Sequence, residues 1–319
     1  MNGIETIGAD LGGTKLAVGV VDCEAQTVWK DEVASRGYSQ EEVIDLLSRE
    51  IERAREARPG VAAVGLGIPA RIDFEKGHAI DTVNLDFEEF PVRDLIKERC
   101  GLPVYVDNDG NLAMMAEALY GAAKGARHAL MLTLGTGIGG GIWIDGKTFR
   151  GASGAAAELG HTVVEIDGPP CQGNCPGRGC VEIFASGTGI GKLGRQAAEE
   201  NPDSALGLIE AAGGTVSARE VNEAATAGDT AAIGVVEKVA HYLGTALVSL
   251  SNIFEPEVIV LGGGAMAFGE LLLEPTRREI ATHALSPMNE TPVVAARLGP
   301  AAGMIGAAAL ARIELEAGR

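Results

Sequence analysis

Three of the five cysteines lie close to one histidine in a short, glycine-rich stretch of the sequence. The candidate ligands are His161, Cys171, Cys175 and Cys180. Three thiolates and one imidazole form a closed tetrahedral donor set that suits Zn²⁺ and leaves no position for a catalytic water. Buried thiols or a disulfide are the alternatives, but the stretch is too compact and too rich in glycine for a core segment. It therefore predicts a structural zinc knot over residues 161–180.

Acidic residues lie at both ends of this predicted knot. Glu158 comes three residues before His161, and Glu182 comes two residues after Cys180. Carboxylates in these places can face a polar ligand, although solvation in a loop is the usual fate of glutamate. Their position beside the metal ligands favours the binding of a polar ligand.

Glycine turns mark three places where the backbone can approach a phosphate closely. The turn residues are Gly12, Gly13 and Thr14, then Gly135, Thr136 and Gly137, then Gly262, Gly263 and Gly264. Glycine permits close approach to phosphate oxygens and threonine adds a donor, whereas the alternative is a pair of ordinary hairpins. We expect the first two turns to hold phosphates and the third to lie against an adenosine.

Charged residues accompany the first turn. Asp10 ends the preceding strand and is placed to hold Mg²⁺ through water, with a simple turn residue as the alternative. Lys15 closes the turn, where phosphate contact and plain solvent exposure are equally compatible with the sequence. The second turn matches G-x-G-x-x-G, but a dinucleotide fold needs a helix after it and here a strand follows. No P-loop sequence is present.

The strand, glycine turn and second strand occur twice in the sequence. A shift of 123 residues carries Asp10–Gly13 onto Thr133–Thr136. Helices are predicted after the capping box of Ser39 and Glu42, over 91–101, over 111–123, over 230–253 and over 301–316. The pattern predicts an internal duplication with two α/β lobes of similar topology. Chance similarity between two short glycine-rich stretches is the alternative.

The composition limits the possible functions. The chain has 319 residues, 46% of them hydrophobic, and a formal net charge of −18. That charge disfavours nucleic acid, which is bound through basic patches. No stretch looks long and apolar enough to span a membrane, and the N-terminus lacks the features of a signal peptide. We therefore expect a cytoplasmic protein without a nucleic-acid or membrane partner.

Five motifs in this order resemble the ROK family of sugar kinases and repressors, and within it the bacterial glucokinases. They are Asp10–Lys15, Asn108–Asn111, Leu134–Gly141, Glu158 with His161, and Gly179–Glu182. The resemblance covers essentially the whole chain. It implies an actin-like, hexokinase-like fold with two α/β lobes of duplicated ribonuclease H-like topology, a cleft and a small zinc knot. We place the lobes at 1–108 and 109–300, with a closing helix over 301–319 packed back on the first lobe.

The resemblance also implies roles for particular residues. Asp109 matches the catalytic base that takes the proton of a sugar hydroxyl, although local sequence alone is equally compatible with a helix N-cap. The sugar-binding matches are Asn108, Glu158, His161 and Glu182, and Asn84 in the loop 70–90 is expected to contribute to acceptor choice. ATP, Mg²⁺ and a structural Zn²⁺ are the implied cofactors, and a homodimer is expected. The implied reaction is ATP-dependent phosphorylation of the 6-hydroxyl of glucose.

Several alternatives stay open at this point. Mannose, fructose, allose or N-acetylmannosamine would use nearly the same residues, polyphosphate is an alternative donor, and a non-catalytic sugar sensor is compatible with the motifs. A repressor is disfavoured because the first strand begins near Ile4, which leaves no room for a DNA-binding domain. The family usually shows Cys-x-Cys, whereas three residues separate Cys171 from Cys175 here. The position of Cys171 as a zinc ligand is therefore less firmly expected than those of Cys175 and Cys180.

Overall fold

The computed structural model describes residues 3–35, 38–82 and 88–318. The strands are β1 (Thr6–Leu11), β2 (Lys15–Val21), β3 (Thr27–Ala34), β4 (Val64–Ile68), β5 (Ala70–Asp73), β6 (His78–Thr82), β7 (Glu88–Phe90), β8 (Val104–Asn108), β9 (Ala129–Leu134), β10 (Ile138–Ile144), β11 (Lys147–Thr148), β12 (Val258–Gly262) and β13 (Val293–Ala295). The helices are α1 (Gln40–Ala57), α2 (Val92–Cys100), α3 (Asp109–Tyr120), α4 (Glu182–Ala185), α5 (Gly187–Glu200), α6 (Ala205–Ala211), α7 (Ala218–Thr226), α8 (Thr230–Phe254), α9 (Glu270–His283) and α10 (Ala302–Glu316).

The chain divides into two compact units. Unit 1 comprises Met1–Gly125, Gly141–Ala157 and Arg297–Arg319, and unit 2 comprises Ala126–Gly140 and Glu158–Ala296. The boundary expected from the sequence, between residues 108 and 109, lies inside unit 1. Helix α3 stays with unit 1 because it packs against α10 and against strands of the same sheet.

Unit 1 is built on a five-stranded mixed sheet in the order β3-β2-β1-β4-β8. The pairs β1/β2 and β2/β3 are antiparallel, whereas β1/β4 and β4/β8 are parallel. Strand β4 is buried along its whole length, as a continuous apolar run between parallel neighbours requires. Helix α10 lies directly on this sheet. A Cβ added at Gly8 or Gly65 would come within about 2 Å of α10 backbone oxygens, so these glycines permit contact between the two backbones.

Unit 2 is mostly helical and contains the core of a second five-stranded sheet, whose order is β11-β10-β9-β12-β13. The pairs β9/β12 and β12/β13 are parallel. The chain passes from unit 2 into unit 1 within β10, between Gly140 and Gly141. Strand β12 is fully buried, and α8 packs along α9.

The predicted repetition is present residue by residue in the first hairpin of each sheet. A shift of 123 residues carries Thr6–Leu11 onto Ala129–Leu134 and Lys15–Val21 onto Ile138–Ile144. Each sheet also continues from this hairpin to two parallel strands on the other side. The predicted α/β fold with two halves of similar topology is therefore confirmed.

Helix α8 corrects one sequence-based expectation. Among the described residues it is the one helix that is long and apolar enough to cross a membrane. Half of the most apolar stretch of α8 is buried inside the protein, through a stripe that includes Val235, Val239, Leu243 and Leu247. The sequence predicts this helix over 230–253, and because an apolar stripe on one face is typical of a core helix, it was not counted as a membrane span.

Candidate active site and zinc site

Two partly buried carboxylates lie close together in unit 1. Asp10 is in β1, and Asp109 is the first residue of α3. A Cβ added at Gly303 would lie 2.3 Å from Oδ2 of Asp10, so this glycine leaves room for the carboxylate. Burial, and after it the charge of Asp109, raises the pKa of Asp10 to about 7, and Lys15 opposes the shift. Two neighbouring carboxylates that are partly removed from water favour the binding of a cation or a proton.

The start of α3 bears on the alternative that Asp109 is a helix N-cap. The N-cap is Asn108, whose Oδ1 accepts from the backbone N–H groups of Gly110 and Asn111 at 2.9 and 3.2 Å. Asp109 therefore does not cap the helix, which also begins two residues earlier than the sequence predicted. Burial raises the pKa of Asp109, and a hydrogen bond from the Gly110 N–H at 2.8 Å opposes the shift. The carboxylate is thus a better proton acceptor than an exposed aspartate.

Most hydrogen-bonding groups of the Asn108 side chain already have partners within the protein. Its Oδ1 holds the two helix amides, and its Nδ2 donates to the Ala70 carbonyl at 3.2 Å. One N–H of the amide group is left for another partner. The predicted sugar contact of Asn108 is therefore limited to one donated hydrogen bond.

Asp107 holds the end of β8 in place through hydrogen bonds, a role that was not predicted from the sequence. Its Oδ1 accepts from the Asn108 N–H at 2.8 Å and from Nδ2 of Asn111 at 3.0 Å. Arg150 donates to Oδ2 through Nε at 2.8 Å, and its Nη2 lies 2.7 Å from the same oxygen. The guanidinium also lies 3.7 Å over the ring of Phe74. A carboxylate that is buried in a strand needs a positively charged or hydrogen-bonding partner. An acid near the end of β8 is therefore the one sequence signal that could have indicated a cation such as Arg150.

The first glycine turn is an exposed hairpin turn. The N–H of Gly12 donates to the Lys15 carbonyl at 2.8 Å, and Ser35 Oγ donates to the Gly12 carbonyl at 2.9 Å. Gly13 and Thr14 are exposed. Nζ of Lys15 lies 3.3 Å from Glu32, and both side chains are largely in solvent. Such a pair is weak, so the ammonium can exchange this partner for a phosphate.

Unit 2 brings together all four predicted zinc ligands. One donor atom from each of His161, Cys171, Cys175 and Cys180 lies within 4.8 Å of the others. Sγ of Cys171 is 3.5 Å from Nδ1 of His161, close to the spacing of about 3.6 Å that tetrahedral Zn–S and Zn–N bonds imply. The longer spacing after Cys171 therefore does not prevent its participation. The residues fit Zn²⁺, as predicted.

The packing of the cysteines changes the pKa of two of the thiols. Burial, followed by the neighbouring thiols, raises the pKa of Cys171, and burial raises the pKa of Cys180. Thiols packed together without a cation resist ionisation, whereas a coordinated cation holds them as thiolates. The Gly177 N–H lies 3.4 Å from Sγ of Cys175, which adds a donor for a thiolate.

His161 presents its two ring nitrogens to different partners. Nδ1 faces the thiols, whereas Nε2 lies 3.9 Å from Oε2 of Glu158. The side chain of Glu158 is 64% exposed, so its carboxylate is open to solvent. One nitrogen can therefore ligate the metal while the other, with Glu158, faces a polar ligand.

Glu182 joins the knot to the second glycine turn. Its Oε2 accepts from the Ile138 N–H at 2.7 Å, and its Oε1 lies 3.9 Å from Sγ of Cys171. The side chain is buried, with 8% of its surface exposed. A Cβ added at Gly137 would lie 2.5 Å from this carboxylate, so the turn needs glycine at that position. Glu182 therefore stabilises the second glycine turn through Oε2. Only Oε1 is left to bind a sugar hydroxyl.

The third glycine loop lies against the second turn. Gly262 ends β12, and Gly263 has φ +86°, a left-handed conformation that suits glycine. A Cβ at Gly263 would lie 2.5 Å from the carbonyl oxygen of Leu134. Gly264 begins the short 3₁₀ turn that follows. The predicted Asn84 falls outside the described residues.

Comparisons with known proteins agree with this arrangement. The ROK family model matches residues 6–314. The chain belongs to the ROK family. A glucokinase of Halalkalibacterium halodurans is 36% identical over 307 residues, which cover 94% of this chain and 92% of that protein. The residues that the family model matches include every predicted ROK motif.

Two solved ROK structures are also similar. A ROK family glucokinase from Streptomyces griseus in complex with glucose and AMPPNP is 36% identical, with a TM-score of 0.84 over 97% of this chain and 99% of that chain. A ROK hexokinase from Thermus thermophilus is 35% identical, with a TM-score of 0.80 over 98% and 100% of the two chains. Both likenesses support the hexokinase-like ROK fold expected from the sequence.

Proposed function

We propose that this ROK protein is an ATP-dependent glucokinase, which transfers the γ-phosphoryl group of ATP to the 6-hydroxyl of glucose. The observation that carries the proposal is the state of Asp109. It is a partly buried carboxylate with a raised pKa that does not cap its helix, at the position of the ROK catalytic aspartate. The similarity to a glucokinase that binds glucose and AMPPNP supports the choice of substrates.

Asp109 would orient the 6-hydroxyl and accept its proton. Phosphoryl transfer has a loose transition state, so a positioned acceptor oxygen matters more than a strong base. The short network beneath Asp109 limits its movement, because Asp107 holds the neighbouring amide and Arg150 balances the charge of Asp107. The hydroxyl oxygen then forms the new bond to phosphorus, and the bond to the leaving ADP oxygen breaks.

The hexose would be recognised by polar groups that are held in fixed directions. In this proposal Glu158 and Nε2 of His161 bind hydroxyls at the knot, Glu182 contributes Oε1, and Asn108 donates one N–H. The ligands His161, Cys171, Cys175 and Cys180 would hold Zn²⁺, which fixes the imidazole in one orientation. Asn84 stays a prediction as a contributor to acceptor choice.

The nucleotide would be held by backbone groups and one acid. Asp10 is proposed to hold Mg²⁺ through water, and a divalent cation at this place neutralises charge on the phosphates. The turns Gly12–Thr14 and Gly135–Gly137, with Lys15, are proposed to bind the phosphates. The loop Gly262–Gly264 is proposed to lie against the adenosine. A cytoplasmic location and a homodimeric state stay predictions.

A coupled assay against a panel of hexoses tests this proposal. Purified protein is given Mg²⁺-ATP with glucose, mannose, fructose, allose or N-acetylmannosamine, and polyphosphate replaces ATP in a parallel series. We expect the highest kcat/KM with glucose and ATP. Selective turnover of another sugar would disprove the glucose assignment, and turnover of none, with zinc bound, would contradict a kinase.

A broader hexokinase is the second candidate. The Thermus thermophilus relative, at nearly the same identity, is described as a hexokinase. The geometry of a single hydroxyl distinguishes the hexoses, and most contacts to the ring are shared between them. Comparable kcat/KM values for glucose and mannose in the same panel would favour this candidate.

A further inference from the structure

The longer segment between two zinc ligands places a side chain on the second glycine turn. Three residues, Gln172, Gly173 and Asn174, separate Cys171 from Cys175. Nε2 of Gln172 donates to the Thr136 carbonyl at 3.4 Å, and it would lie 3.5 Å from a Cβ at Gly137. The extra length of the knot is therefore in contact with a turn proposed to bind phosphate.

A second donor meets the same carbonyl from a different element. Oγ1 of Thr188, in the first turn of α5, donates to the Thr136 carbonyl at 2.8 Å. Because the C=O and N–H of a trans peptide point in opposite directions, two donors on this carbonyl direct the Gly137 N–H to the other side. The orientation of this peptide is thus set by side chains and not by the hairpin alone.

The neighbouring peptide groups of the turn are fixed in the same way. The Gly187 N–H donates to the Gly135 carbonyl at 2.7 Å, which directs the Thr136 N–H away from α5. The Gly135 N–H donates to the Gly137 carbonyl at 2.9 Å, while Glu182 holds the Ile138 N–H. The two successive N–H groups of Thr136 and Gly137 are therefore the directed donors of the turn. Successive backbone N–H groups form a concave site for an anion.

We propose that Gln172 is a positioning residue for nucleotide phosphates, and that it acts together with Thr188 through the Thr136–Gly137 peptide. The inference deepens the proposed kinase function and rests on it. Gln172 follows the ligand Cys171 directly, so an ordered zinc knot holds the amide group against the turn. The knot then supports the nucleotide side of the reaction as well as the imidazole of His161.

Single substitutions with a matched control test this inference. Gln172→Ala removes the donor, Gln172→Glu replaces it with an acceptor that repels the carbonyl, and Thr188→Val removes the second donor without a change of shape. Asn174→Ala is the control, since Asn174 is exposed in the same segment. We measure KM for ATP, KM for glucose, kcat, bound zinc, and the affinity for Mg²⁺-ADP by calorimetry without sugar.

The expected result is a selective loss on the nucleotide side. Gln172→Ala raises KM for ATP and Kd for Mg²⁺-ADP about three- to tenfold, the loss expected for one hydrogen bond, with zinc content and KM for glucose unchanged. Thr188→Val has a similar effect, and the double variant exceeds either. Asn174→Ala matches the wild type.

Three outcomes would overturn the proposal. They are equal nucleotide affinity in Gln172→Ala and Asn174→Ala, a parallel loss of glucose affinity, or nucleotide affinity unchanged in Gln172→Glu. Calorimetry with Mg²⁺-ADP needs no turnover. A wild-type protein without kinase activity would therefore defeat the proposed function while this measurement still decided the role of Gln172.

Discussion

The two glycine hairpins occupy equivalent positions in the repeat, yet they are supported differently. The first follows Asp10, a partly buried acid, and its turn is held by ordinary hairpin hydrogen bonds. The second follows Thr133 at the equivalent position, and its turn is held by Gly187, Thr188, Gln172 and Glu182. In the proposed function, the first copy contributes charge and the second contributes directed backbone donors.

In the proposed function, the two copies of this repeat therefore have two different roles. The strand bounds coincide under a shift of 123 residues, so the backbone scaffold has been kept. The specialisation lies in what packs against each turn. Asp10 meets a second acid, Asp109, in unit 1, whereas the second turn meets the knot and α5 in unit 2.

The largest effect is expected on the acidic side, from Asp109→Asn. The amide keeps the shape of the carboxylate but cannot accept the proton, so kcat falls about a thousandfold. Calorimetry should show that glucose affinity is retained. Asp94→Asn is the control, because Asp94 lies on the surface of the same unit with 64% of its side chain exposed. A kcat within tenfold of the wild type would remove Asp109 from its role.

A paired substitution at equivalent positions of the repeat tests the comparison directly. Asp10→Asn should lower kcat about a hundredfold, since a charge that holds the cation is lost. Thr133→Ala, at the same place in the second copy, should change kcat less than threefold. The Mg²⁺ concentration for half-maximal rate should rise only in Asp10→Asn. Equal effects of the two substitutions would show that the copies are not specialised as described.

The stability of the Mg²⁺-free protein should depend on pH through Asp10. Its pKa is about 7 in the folded protein against 3.8 as the ordinary value, so the folded state binds more protons between these limits. Stability from this group is therefore full below pH 4 and is lost as pH rises to 7. Relative to the wild type, Asp10→Asn should gain a few kcal/mol of unfolding free energy between pH 4 and pH 8. Denaturant unfolding at both pH values measures this, and a constant difference would contradict it.

The smallest effect is expected when one glycine in each of the two turns is replaced by alanine. Gly137→Ala places a methyl group 2.5 Å from the Glu182 carboxylate, whereas at Gly12 the nearest atom is a carbonyl oxygen at 3.3 Å. We expect Gly137→Ala to lower the unfolding free energy by about 1–3 kcal/mol and to raise KM for ATP. Gly12→Ala should cost less than half as much. Urea unfolding of both variants gives the comparison, which a larger loss for Gly12→Ala would reverse.

Local patterns made much of the fold and of the site predictable. Alternation around Gly12 and Gly135 predicted both hairpins and their repetition, and the capping box of Ser39 and Glu42 is present as expected. The ligand spacing predicted the cluster that includes Cys171. These features depend on residues that are neighbours in the sequence, so their signals survive without tertiary information.

The features that were missed depend on contacts between distant residues. Arg150 meets Asp107 across 43 positions, and Thr188 meets Thr136 across 52. Nothing in the local sequence of either partner identifies the other. The start of α3 was also placed too late, because Asn108 and Asp109 are both good capping residues and only the structure shows which one caps.

The close contact between α10 and the sheet of unit 1 has a consequence for the order of synthesis. Gly8 and Gly65 precede α10 in the sequence, with the whole of unit 2 between them and that helix. On the ribosome, unit 2 can complete its core while one face of the first sheet still lacks its cover. That face exposes the backbone and small side chains that α10 covers in the folded protein. This face of the first sheet is therefore covered only when α10 has been translated and docks.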